Sequence, residues 1–141
     1  MLNGLRIFTG DDVWRKILND FGAVVVDQKN IADVNIDSMG LVMPVAPLEL
    51  KSQILNEIEQ SQQKIIKQVF KKTVQLPRLQ SQIVVFLFKT GGMSVADLKQ
   101  VLGYAPDATT HTIDTAIYQL RKIHGYDFIK NENGKYFIGQ L

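Results

Sequence analysis

The sequence predicts an α+β protein with a small N-terminal α/β domain, a long connecting helix and a C-terminal domain of three helices and a β-hairpin. Apolar residues spaced three or four apart indicate the helices, and short β-branched runs indicate the strands. Charge divides the chain: residues 1–63 carry net −4, residues 64–76 net +4 and residues 77–141 net +2. We therefore expect an acidic domain, a basic helical connector and a mildly basic domain with these boundaries.

The composition excludes several classes of protein. The 141 residues include no cysteine, so disulfides and thiolate chemistry are ruled out. No apolar run approaches the roughly 20 residues of a membrane span. The N-terminus lacks the basic-then-apolar pattern of a secretion signal. We expect a cytoplasmic protein with no membrane partner.

The first domain begins with alternating strand and helix patterns. Residues 5–9 and 23–27 are apolar or β-branched and predict two strands, and residues 11–21 between them have the pattern of an amphipathic helix. Short links of this kind predict a right-handed β-α-β unit with parallel strands. Residues 28–40 are polar and expected to be irregular, and residues 41–43 suggest a third strand.

A long helix is predicted from Pro47, because residues 47–72 lack glycine and are rich in strong helix formers. One face is apolar, and its residues are Leu50, Ile54, Ile58, Ile65 and Val69. Two uses of this face are open. Its first half can pack on the sheet while the second half is solvated, or the whole face can pair with a second copy of the chain. The second use predicts a homodimer with these five residues at its interface.

The N-terminal domain resembles a shortened receiver domain of bacterial response regulators. The first strand, helix and second strand match the opening of a receiver, and the segment LVMPVAPLELKSQILNEI is similar to its closing strand and last helix. In this comparison the strand that bears the phosphorylated aspartate is absent. Thr9 and Gly10 stand near the positions of the acidic pair that binds magnesium, and Met43 replaces the lysine. The resemblance therefore implies a receiver-like domain without phosphotransfer.

Three helices are predicted in the C-terminal domain. Residues 79–89 form an apolar helix pattern, and Ser94 precedes a second helix with Asp97 in a capping-box arrangement. The third covers residues 109–124, begins after Thr109 or Thr110 and ends at Gly125. Its apolar face consists of Ile113, Ile117, Leu120 and Ile123.

Two aromatic and β-branched runs follow, with the tight-turn pair Asn133-Gly134 between them. Three helices and a hairpin are the element order of a winged helix-turn-helix. The run VLGYAPDATTHTIDTAIYQLRKI is similar to the OmpR/PhoB-type effector domain. That family reads Trp-Gly-Tyr, a loop, Thr-Val-Asp, a long helix, then Leu-Arg-x-Lys. The matching residues are Leu102-Gly103-Tyr104, Thr112-Ile113-Asp114 and Leu120-Arg121-Lys122. This resemblance implies a bacterial DNA-binding regulator, although the wing segment ENGKY lacks the family's arginine.

The face of the third helix opposite its apolar side carries hydroxyls, an amide, an aromatic ring and a cation, but no glutamate. Such groups can contact base edges and phosphates, and nearby cations can contact phosphates. The predicted DNA-binding residues are His111, Thr112, Thr115, Tyr118, Gln119, Arg121, Lys122, Lys130 and Lys135. For Arg121 the alternative is a salt bridge with Asp114.

These observations predict a sequence-specific double-stranded DNA-binding transcription regulator that is dimeric, independent of phosphorylation and able to contact the transcription machinery. The alternative is a protein–protein interaction module on a winged-helix scaffold, because the domain is only mildly basic. An enzyme is not expected, since no catalytic triad pattern or phosphate-binding glycine loop is present. His111 and His124 lack a third ligand at metal-like spacing, so neither metal nor cofactor is expected.

Overall fold

The computed structural model describes residues 2–139 and has a mixed α/β structure. The chain divides into two compact units, Met1–Ser61 and Gln62–Leu141, here called the N-terminal and C-terminal units. The basic segment 64–76 was expected to be a separate connector. The structure instead assigns it to the C-terminal unit, because Ile66 and Phe70 are buried in the core of that unit.

The sheet of the N-terminal unit has three parallel strands in the order β2-β1-β3. These strands are β1 (Arg6–Phe8), β2 (Val24–Val26) and β3 (Val34–Asn35). Helix α1 (Asp12–Asp20) joins the first two strands, which confirms the predicted β-α-β unit. Asp11 caps α1, since its carboxylate accepts hydrogen bonds from the backbone N–H groups of Val13 and Trp14 at 2.8 and 3.4 Å.

The prediction of a third strand at residues 41–43 is wrong. The third strand is β3, and it is preceded and followed by short 3-10 helices, Lys29–Ile31 and Ile36–Met39. Ala32, Val34 and Ile36 are buried at alternating positions, which is the pattern of a strand with one face on a core. The expectation that residues 28–40 are irregular is also corrected, because β3 lies within this range and pairs with β1.

Helix α2 (Pro47–Phe70) contributes to both cores. Leu50 and Ile54 are buried in the N-terminal unit, where Ile58 packs against the same cluster. Ile65 and Val69 pack against the core of the C-terminal unit. The structure therefore corrects the prediction that these five residues form a dimer interface, because their side chains are already used within one chain.

The C-terminal unit contains α3 (Arg78–Thr90), β4 (Met93–Ser94), α4 (Val95–Val101) and α5 (His111–His124), followed by β5 (Ile129–Glu132) and β6 (Lys135–Ile138). The strands form an antiparallel sheet in the order β4-β6-β5. Strand β4 was not predicted from the sequence, since two residues are too short to give a periodic signal.

Local signals for the ends of these elements are confirmed. The Ser94 hydroxyl accepts a hydrogen bond from the N–H of Asp97 at 3.1 Å and caps α4. Asn133 and Gly134 have φ values of +54° and +78°, as a type I′ hairpin turn requires at both central residues.

No helix among the described residues is long and apolar enough to cross a membrane.

Candidate nucleic-acid interface

Helix α5 is held in place by a fully apolar inner face. Ile113, Ala116, Ile117 and Leu120 are all buried in the core of the C-terminal unit. The prediction that Ile123 belongs to this face is wrong, because its side chain is 69% exposed. At about 100° per residue Ile123 is rotated roughly 60° from Leu120 toward solvent. The helix is thus anchored through its first three turns.

The N-terminus of α5 is organised by Thr110 and Asp114. The Thr110 hydroxyl donates to a carboxylate oxygen of Asp114 at 2.9 Å, and the N–H of Asp114 donates to the Thr110 carbonyl at 2.9 Å. Thr110 occupies the N-cap position, but its hydroxyl makes no capping bond to the backbone. Asp114 is therefore held by its own helix terminus.

The outer face of α5 is open to solvent. His111, Thr112, Thr115, Tyr118 and Lys122 are all exposed. Four of these, at positions 111, 115, 118 and 122, follow the spacing of one helical face. With Thr112 they offer an imidazole, two hydroxyls, a phenol and an ammonium group. The carboxylate of Asp114 is exposed beside this face and bonded to the Thr110 hydroxyl. This set can donate to base acceptors and phosphates and can accept from base amino groups.

Gln119 is exposed at the edge of this face, but its side chain is oriented by the neighbouring helix. Its amide oxygen accepts a hydrogen bond from the buried side-chain amide of Gln80 on α3 at 3.0 Å. This contact restricts the rotamers of the Gln119 side chain. Less side-chain conformational entropy would therefore be lost if its amide group formed a hydrogen bond with a DNA base.

Arg121 has a structural role that the sequence did not reveal. Its Nε donates to the Ile129 carbonyl at 2.7 Å, and its guanidinium carbon lies 5.5 Å from the centre of the Tyr136 ring. These contacts join α5 to the hairpin β5–β6. They take the place of the alternative salt bridge, because Asp114 is bonded to Thr110 instead. A phosphate contact through the remaining guanidinium N–H groups of Arg121 stays a prediction.

The hairpin presents two exposed lysines on its solvent face. Lys130 is paired across the strands with Phe137, and Lys135 with Glu132. Side chains of cross-strand partners lie on the same face, so Lys130 and Lys135 share one face of the sheet. The opposite face carries Ile129, which is buried in the core. Glu132 beside Lys135 offsets part of the positive charge at the tip of the hairpin.

The two units differ strongly in charge. The C-terminal unit contains eleven Lys/Arg and five Asp/Glu, net +6, whereas the N-terminal unit contains five Lys/Arg and nine Asp/Glu, net −4. The boundary found in the structure therefore places the whole basic segment in the unit that contains α5. A net positive unit attracts polyanions and accelerates their association.

His124 belongs to an aromatic cluster of the core rather than to the outer face. Its ring centre lies 4.8 Å from that of Phe70 and 5.6 Å from that of Phe128. Burial, with a smaller contribution from Lys72, lowers the pKa of His124 below its ordinary value. Within residues 2–139 no group of three His, Cys, Asp or Glu side chains is placed to hold a metal ion.

The N-terminal unit has an open cavity of about 770 Å³ at the carboxyl ends of β1 and β3. Asp37 lies in its wall. One carboxylate oxygen of Asp37 accepts from the Gly10 N–H and the other from the Thr9 hydroxyl, each at 2.7 Å. These two bonds lower the pKa of Asp37. The carboxylate of Asp37 thus bonds to the loop after β1, and that of Asp11 bonds to the start of α1.

Comparison with known proteins adds no further identification. A scan against protein-family models finds no matching family, and a search of curated proteins finds no similar sequence.

Proposed function

We propose that the C-terminal unit is a winged helix-turn-helix and that the protein is a sequence-specific double-stranded DNA-binding transcription regulator. The observation that carries this proposal is the exposed outer face of α5, which bears donors, acceptors and a cation on a helix anchored by a buried inner face. Support comes from the element order, with α4 and α5 as the helix-turn-helix and β5–β6 as the wing.

In this proposal α5 enters the major groove and the hairpin lies against the adjacent backbone. Thr115, Tyr118 and Lys122 would face base edges and the phosphates that border the groove. Lys130 on the hairpin would contact a phosphate, while Arg121 keeps the hairpin at a constant position relative to α5. The net charge of +6 would supply the nonspecific attraction that every DNA-binding protein of this type needs.

The regulator is proposed to act as a homodimer without phosphorylation. Two copies on adjacent half-sites would double the contacts of one small unit. The buried face of α2 cannot join them, so the interface would use another surface of the N-terminal unit. Val42 and Leu48 are 79% and 78% exposed and are suitable anchors for a partner. Phosphorylation independence is supported by Met43 at the lysine position of receivers.

A protein–protein interaction module is the second candidate. It is favoured by Ile123 and Tyr126, which are both largely exposed near the C-terminal end of α5. Exposed apolar and aromatic side chains are typical anchors of protein interfaces. A protein partner would be recognised by binding that is not competed by duplex DNA.

The test is selection of bound sequences from random duplex DNA, followed by affinity measurements on the selected duplex. Thr115→Glu with Lys122→Glu places two carboxylates on the outer face of α5. Since a lost or repelled groove contact costs about 1–3 kcal/mol, this variant should lose at least roughly 30-fold in affinity.

The matched control is Ser52→Glu with Lys16→Glu. It makes the same charge change at exposed helical positions of the N-terminal unit. We expect the control to bind nearly as well as the unaltered protein. Equal losses in both double variants, or no selection of any sequence by the unaltered protein, would refute the proposal.

A further inference from the structure

The end of α2 and the segment after it form the most basic region of the chain. Residues 60–96 contain six Lys/Arg and no Asp or Glu. Lys64, Lys67, Lys71 and Lys72, here called the α2 lysine group, are all exposed. Lys64 and Lys67 are three positions apart and therefore neighbours on the outer side of α2. The group is distinct from the residues of α5 and the hairpin.

The backbone conformation of Lys71 is unusual for a lysine. Helix α2 ends at Phe70, and Lys71 follows with φ of +61°, in the left-handed region. Helices that end in this conformation commonly have glycine at that position, because a Cβ atom disfavours it. The chain thus has a lysine at a position where glycine would adopt the backbone conformation with less strain. This points to a binding role for the lysine side chain.

The C-terminal end of the α2 lysine group, at Lys71 and Lys72, lies next to the C-terminal end of α5. The ring of Phe70, the residue before Lys71, has its centre 4.8 Å from the ring of His124 at the end of α5. The charge of Lys72 contributes to the lowered pKa of His124, which agrees with this placement. A duplex contacted by α5 would therefore have phosphates near these lysines.

We propose that the α2 lysine group is a second DNA-contacting surface, which binds phosphates of the duplex outside the bases read by α5. This inference rests on the proposed function. It would increase affinity without adding sequence preference, since phosphate contacts carry no base information.

Duplex DNA fits this surface better than a membrane or a protein does. The apolar side chains of the segment all pack in or against the core of their own unit; they are Ile65, Ile66, Val69, Phe70, Val74 and Leu76. None is left to enter a lipid layer, which a membrane-bound amphipathic helix requires. Among the described residues of segment 62–76, no large hydrophobic side chain is strongly exposed, so this segment by itself offers no apolar centre for a protein interface.

The experiment measures the affinity of the full chain for its selected duplex as a function of salt concentration. Each lost phosphate contact reduces the slope of log affinity against log salt by about 0.9. Lys64→Gln with Lys67→Gln should therefore reduce the slope by about 1.8. The preference for the selected duplex over a scrambled one should stay unchanged. The control, Lys16→Gln with Lys51→Gln, removes two helical lysines of the N-terminal unit and should leave the slope unaltered.

Lys71→Gly separates binding from folding. Because glycine suits the left-handed conformation, this variant should melt at the same or a higher temperature, yet its salt slope should fall by about 0.9. If the slopes of the lysine variants equal that of the unaltered protein, the second surface is refuted and the proposed function stands. If the unaltered protein binds no duplex, the proposed function itself fails. Binding to anionic vesicles that the lysine variants lose, with unchanged DNA slopes, would assign the surface to membranes and overturn the inference.

Discussion

Replacing Arg121 tests whether this residue stabilises the fold or contacts DNA. In Arg121→Met the side chain keeps an unbranched apolar stem and loses the guanidinium group, and with it the charge and the donors. The change removes the hydrogen bond from Nε to the Ile129 carbonyl, 2.7 Å long, and the contact with the Tyr136 ring. Both contacts join α5 to the hairpin, so we expect the C-terminal unit to unfold more easily.

The expected loss follows from the two contacts. A hydrogen bond that involves a charged group contributes about 1.5–3 kcal/mol, and a cation–π contact about 0.5–1 kcal/mol. Since Arg121 is only partly buried, the lower part of the combined range applies, and we expect a loss of roughly 2 kcal/mol. Arg121→Lys should recover little of this free energy, because an ammonium group lacks the planar guanidinium and its Nε–H donor.

Urea denaturation followed by far-UV circular dichroism measures the free energy of unfolding. The sole tryptophan, Trp14, lies in the N-terminal unit, so its fluorescence serves as an internal control that the substitution should not change. If Arg121→Met alters stability by less than about 0.5 kcal/mol but abolishes DNA binding, the structural assignment is refuted, since surface substitutions usually stay within that limit. Restored binding in Arg121→Lys would then indicate a phosphate contact.

Three further predictions concern the core of the C-terminal unit and the cavity of the N-terminal unit. The folded-state pKa of His124 is below 6.5, so the unfolded chain takes up a proton more readily than the folded chain. The free energy of unfolding should therefore fall as the pH drops from about 6.5 through the folded-state pKa. A profile of melting temperature against pH should show this fall for the unaltered protein, and His124→Phe should flatten it. Incubation with a small phosphodonor and magnesium should leave the protein's mass unchanged, as expected if phosphotransfer is lost; a phosphoryl group on Asp37 would contradict the proposed independence from phosphorylation. Val69→Lys should destabilise the C-terminal unit by at least about 1–2 kcal/mol in urea denaturation, because Val69 packs against the core of its own chain. Light scattering should show the same oligomeric state for the variant and the unaltered protein. If the variant instead dissociates an otherwise stable dimer, Val69 belongs to the dimer interface that the sequence predicts.

Local elements of this protein are determined by residues close together in the sequence. The Ser94 cap, the Asn133-Gly134 turn and the apolar spacing from Ile113 to Leu120 each act within a few positions, and the structure confirms all three. The β-α-β unit is likewise specified by short links between a strand, a helix and a strand. The exposed face of α5 could be predicted for the same reason, because a helix with one buried side must expose the other.

Contacts between distant residues were decided only by the tertiary structure. The polar side chain of Gln119 gave no indication that it bonds to Gln80, 39 positions earlier, and Arg121 was indistinguishable from a phosphate-binding cation. The apolar face of α2 fitted a dimer as well as it fits two cores, because burial against one's own chain and against a partner require the same residues. Periodicity determines which side of a helix is apolar, but only packing determines what covers that side.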